Sequence, residues 1–116
     1  MDIKFWQACE AEDIENLETF DYDPVFIFRW ACFYNKPKIL SHLIDKLDRE
    51  DGLGICYAVT KGHLEVIKIL LERLAISDSV LEEAIIHADN QIKELLMVYK
   101  YQVDRSEYQR LKEMIE

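Results

Sequence analysis

The chain has 116 residues, half of them hydrophobic, enough for a single domain with a modest core. Three glycines and two prolines are too few for a disordered or turn-rich chain, so an all-α fold is expected. The net charge of −9 argues against direct nucleic-acid binding, because phosphate contacts need a basic stripe.

That charge is unevenly placed. Residues 1–23 carry eight acids against Lys4 alone, whereas the remainder carries fifteen acids and thirteen bases. No apolar run approaches the roughly 18 residues of a membrane span, and the stretch Met1–Asp13 lacks the basic start and apolar core of a leader. Cys9, Cys32 and Cys56 are odd in number and form no CxxC pair, so reduced thiols in a cytoplasmic protein are expected, with no disulfide framework.

Taken in order, the elements repeat. Small residues at Ala8, Ala31, Ala58 and Ala84, spaced 23, 27 and 26 apart, each sit within a helix-forming run: FWQAC, FRWAC, ICYAV and LEEAI. Eight residues beyond each lies Asn16, Ile39, Val66 or Ile92, and twelve beyond lies Phe20, Leu43, Leu70 or Leu96. All but Asn16 are apolar. The pattern predicts four helix pairs over about residues 3–22, 24–48, 52–76 and 79–102, then a capping helix over 106–116.

Local signals mark the boundaries. Asp13 is placed to cap the second helix, accepting from its free backbone N–H groups. Asp23-Pro24 supplies a cap and then a proline where no N–H donor is needed, and Asn35-Lys36-Pro37 repeats the device. Asp48–Gly52 is the one clear loop. Ser79-Val80-Leu81-Glu82 and Ser106-Glu107-Tyr108-Gln109 have capping-box spacing. Small residues at the anchors let neighbouring helices approach, and no single pair can bury its apolar face alone, so the pairs must stack.

The stretch Gly54–Leu71, GICYAVTKGHLEVIKILL, resembles one ankyrin repeat. Leu53, Gly54, Ile55, Cys56, Tyr57, Ala58 and Val59 stand where that family has its Thr-Pro-Leu-His-x-Ala-Ala opening, without the Thr-Pro-Leu-His itself. Gly62, His63, Leu64, Glu65 and Val66 follow the family's Gly-His-Leu-Glu-Val almost verbatim. Family repeats run about 33 residues and carry a β-hairpin. Steps of 23–27 leave no room for one, so the resemblance implies a solenoid with its hairpins pruned to turns. Short repeats of this kind resemble those of viral and other divergent ankyrin proteins, which would place the chain in a host cytoplasm.

The resemblance implies partner binding through the concave face of the first helices. Its positions are Gln7, Glu10 and Ala11; Trp30, Phe33 and Tyr34; Tyr57, Thr60 and Lys61; and Glu83, Ile86 and His87. Among them Trp30, Phe33, Tyr34 and Tyr57 stand out, since aromatic residues commonly anchor interfaces. The competing expectation is a core role, because residues 25–34 are apolar almost all round. The acidic group Glu10, Glu12, Asp13, Glu15 and Glu18 has three readings: a solvated end, a dock for a basic partner, or a mimic of DNA phosphates.

No phosphate loop, HExxH or zinc-type Cys/His spacing is present, so no cofactor, metal or catalysis is expected. The three thiols read as small packing residues, and His63 as part of a turn. The expected function is a non-catalytic module that binds and masks another protein. The alternative is an acidic decoy against a nucleic-acid-binding protein. Both a monomer and a homodimer remain open.

Overall fold

Helix signals in the sequence meet their partners one pair at a time in the computed structural model, which describes residues 3–47, 52–101 and, singly, 106, 110 and 113. The first pair is α1 (Ile3–Ala11) and α2 (Ile14–Leu17). Asp13 caps α2, its carboxylate accepting from Asn16 N at 3.3 Å and Asn16 Nδ2 at 2.8 Å. The second is α3 (Pro24–Tyr34) and α4 (Pro37–Ile44), with Asp23 accepting from Val25 N at 3.0 Å at the start of α3.

The third pair is α5 (Leu53–Lys61) and α6 (Leu64–Arg73), joined by Gly62 at φ +74°, the left-handed turn that glycine takes without a Cβ penalty. The fourth is α7 (Asp78–Ile86) and α8 (Asn90–Tyr101). Among the described residues there is no strand, so the fold is all-α as expected. Residues 48–51 of the expected loop lie outside the described residues. Of the expected 106–116 helix, Ser106, Arg110 and Glu113 are helical and exposed, and the rest, with its capping-box signal, also lies outside.

Each first helix lies against its own second helix. Beyond that, α3 packs on α5, α5 on α7, and α4 on α6. The molecule is correspondingly long, 55 × 23 × 20 Å. The anchors do what small residues should: Ala31, Ala58 and Ala84 are fully buried, and Ala8 nearly so. Ile39, Val66, Ile92, Leu43, Leu70 and Leu96 are buried on the second helices, while Asn16 is exposed. Cys9 and Cys32 are buried among them, and burial raises the Cys9 thiol pKa, with a smaller contribution from nearby Glu10. At Gly54 a Cβ would stand 2.9 Å from the Phe28 ring and 3.0 Å from Cys32 Sγ, so α5 lies close against α3.

Two capping expectations are corrected. Asn35 ends α3 in the left-handed conformation rather than starting α4, and Lys36, the N-cap of α4, makes no side-chain cap bond. The carboxylate that α4 needs comes from the preceding pair: Glu12 Oε2 accepts from Lys38 N at 2.7 Å and Ile39 N at 3.2 Å. At α7 the cap is Ser77, whose Oγ accepts from Val80 N at 3.4 Å. Ser79 therefore lies inside the helix, and Glu82 pairs with Lys100 at 2.9 Å instead of closing a box.

Candidate functional site

The periodicity of α3 divides its apolar residues between two faces. Ile27, Phe28, Ala31 and Cys32 turn inward and are fully buried. Phe26 and Tyr34 are 51% and 54% exposed, and Trp30 and Phe33 between them are half-buried. The core expectation thus holds for the first group, holds in part for Trp30, which packs against the core with one side, and fails for Phe26 and Tyr34. The four residues of the second group recur at i, i+4, i+7 and i+8 on one side of the helix.

Neighbouring first helices extend this side into a continuous run of rings. The Trp30 centroid is 5.5 Å from that of Trp6 on α1 and 5.3 Å from Tyr34. Tyr34 is 4.8 Å from Phe33, edge to face, and Phe33 is 5.9 Å from Tyr57 on α5 in the same arrangement. Lys61, one turn beyond Tyr57, sets its Nζ 4.6 Å from the Phe33 ring centre, a cation–π contact of about 0.5–1 kcal/mol at an exposed site. Behind Phe33, His63 Nε2 donates to its carbonyl oxygen at 2.9 Å, so the turn histidine ties the start of α6 to the end of α3.

Phe26, Arg29, Trp30, Phe33, Tyr34 and Tyr57 line one open hollow of about 450 Å³. Five of the predicted residues, Trp30, Phe33, Tyr34, Tyr57 and Lys61, are thus brought together. Glu83 and His87 are not. They sit exposed, Glu83 on α7 and His87 as its C-cap, 3.5 Å from one another, and contribute nothing to the hollow. Phe26, Arg29 and Trp6 escaped prediction. Phe26 lies a turn before Trp30 and was legible from the 3.6-residue period. Trp6 joins only because α1 lies beside α3, which its own segment does not state.

The acidic group separates into residues with different partners. Glu10 Oε2 is 3.4 Å from Lys36 Nζ, which also donates to the Glu10 carbonyl at 3.0 Å. Glu12 caps α4 and Asp13 caps α2, as above. Glu18 accepts from His42 Nε2 at 2.6 Å, Tyr22 OH at 2.8 Å and Lys46 Nζ at 2.9 Å. Bonds from Lys46, then His42 and Tyr22, hold the Glu18 carboxyl at about 2, well below its ordinary 4.5. Burial, and then the same carboxylate, pushes the Tyr22 phenol up. Glu15 is exposed. These acids are mainly the polar seam between the first and second pairs.

Among the described residues, no group of three or more His, Cys, Asp and Glu is arranged to hold a metal ion, and no helix is long and apolar enough to cross a membrane. The chain matches no protein-family model, no curated protein and no solved structure.

Proposed function

We propose that this chain is a non-catalytic protein-interaction module, an ankyrin-like stack of short helix pairs that binds and masks a partner protein through its first-helix face. One observation carries the reading: five aromatic rings from three successive first helices form one uninterrupted, partly exposed surface. Large rings on rigid helices lose little conformational entropy on binding and bury about 150–250 Å² each, which is why they serve as interface anchors. The pairing of first helices with first helices, and of α4 with α6, supports a stack whose concave side is this face.

The acidic decoy is the weaker reading. Glu12, Asp13 and Glu18, which it needs on the surface as free charge, are engaged in caps and in the seam to α4. The test compares partner capture by the native chain, by Tyr57→Ala and by Glu72→Lys on the exposed side of α6. Tyr57 is 37% exposed, so its removal should leave helical content unchanged. Loss of an anchor costs more than about 1 kcal/mol, several-fold in Kd. Equal capture by Tyr57→Ala and the native chain would move the site off this face.

A further inference from the structure

The first helix pair meets the second across a boundary of opposite charge. Residues 1–23 carry eight acids against Lys4, whereas residues 24–47 carry Arg29, Lys36, Lys38 and Lys46 against Asp45 alone. The bonds across that boundary run one way, from acids of the first pair to donors on or beside α4. Glu10 holds Lys36, Glu12 accepts from the Lys38 and Ile39 amides, and Glu18 accepts from His42 and Lys46. The Glu10 and Glu18 side chains are 66% and 39% exposed, so dissolved ions can screen them.

The apolar hold beneath these bonds is small. Phe5, Ala8, Cys9 and Leu17 are the first pair's described residues in the core, against eight from the second pair. α2 is four residues long, where the other helices run eight to twelve. Among helices of different pairs, the closest packed are α3 with α5, α4 with α6 and α5 with α7, and neither α1 nor α2 is among them. An end pair also has one neighbour instead of two, and such units open at a lower free energy than the whole fold.

We propose that the first helix pair is an electrostatic latch, which opens from the second as a unit while the rest of the stack stays folded, and whose opening is set by ionic strength. The non-helical residues 19–23 are its hinge. Opening draws Trp6 away from Trp30, whose ring centroids are 5.5 Å apart when closed, and so removes the α1 member of the ring run. It also takes Glu12 from the start of α4. The length of the aromatic face is thereby coupled to the latch, whichever partner that face binds.

Alkylation measures the opening, because Cys9 lies in the first pair and Cys32 in the second, and both are fully buried. The full chain is treated with iodoacetamide and each thiol is followed by mass spectrometry, its rate divided by that of the same thiol in the urea-unfolded chain. Cys9 should label at least about tenfold faster than Cys32. Raising the ionic strength from about 0.02 M to about 0.5 M should speed Cys9 several-fold. Glu18→Gln should speed Cys9 about three- to tenfold at low salt and less at high salt. Glu15→Gln removes an exposed acid outside the seam and should leave Cys9 within about twofold. Ile67→Val trims the core of the third pair and should speed Cys32 alone, about two- to tenfold.

Equal normalised rates at the two thiols, with Ile67→Val speeding both, would overturn the latch and make the pairs one cooperative unit. Separate rates that ignore salt and Glu18→Gln would overturn the electrostatic control, leaving an end pair that opens for want of apolar contact. Glu15→Gln acting as strongly as Glu18→Gln would move the cause from the seam to net charge. None of these readouts involves a partner, so they stand apart from the capture test above.

Discussion

Replacing Gly54 by alanine tests the close approach of α5 to α3. In an ordinary helix this change is stabilising by up to about 0.5–1 kcal/mol, because glycine loses more backbone entropy on folding. Here the new methyl would stand 2.9 Å from Phe28 Cε1 and 3.0 Å from Cys32 Sγ. Both neighbours are completely buried, so neither can swing into solvent to make room. Overpacking of this kind costs about 1–3 kcal/mol. Set against the propensity gain, this leaves a net loss of up to about 2.5 kcal/mol, with about 1 kcal/mol as the central expectation.

Urea denaturation followed by far-UV circular dichroism reads the difference as a lower midpoint at an unchanged slope. A second variant separates the cause. Phe28→Leu trims the ring, so Gly54→Ala in that background should cost less than in the native chain, a coupling of about 0.5 kcal/mol or more. A Gly54→Ala protein as stable as the native one, or more stable, would refute the close packing of α3 on α5.

Glu12→Ala removes the carboxylate that caps α4 from the neighbouring pair and should cost about 1–2 kcal/mol in the same assay, with Glu12→Gln costing less because its amide oxygen can still accept. No loss in Glu12→Ala would mean that α4 begins without that bond. Glu18 has a folded-state pKa of about 2, below its ordinary 4.5, so its stabilisation is complete above about 4.5 and is lost as pH falls toward 2. Glu18→Gln should therefore be less stable than the native chain near neutrality, with the two converging below pH 3, as thermal melts across that range would show. A constant difference across the range would exclude the Glu18 seam as its source. Alkylation of the native protein should modify half-buried Cys56 before Cys9, whose thiol is both buried and raised in pKa, and preferential labelling of Cys9 would contradict the packing of α1.

Helix content, the positions of the small anchors and the caps at Asp13 and Asp23 were legible because each depends on residues within one or two turns. The period of α3 also shows four large rings on one side of a helix. The sequence alone leaves open whether that side faces solvent, since an apolar helix can be buried all round. Burial is a property of neighbours: α5 and α4 cover Phe28 and Cys32, and nothing described covers Phe26 or Tyr34.

The same distinction explains the misplaced caps and the divided acidic group. Lys36 lies next to a helix start and looks like its cap by position, yet the carboxylate arrives from Glu12, 26 residues before Lys38. Glu18 reads as one more surface acid until His42 and Lys46 come within hydrogen-bonding distance. Trp6 enters the ring run because α1 lies alongside α3, and Glu83 drops out because no ring of that run reaches α7. Hydrogen-bonding and helical period act over a few residues and are written in the local sequence. Which side chains meet across pairs depends on how the pairs stack, and only the tertiary structure decides that.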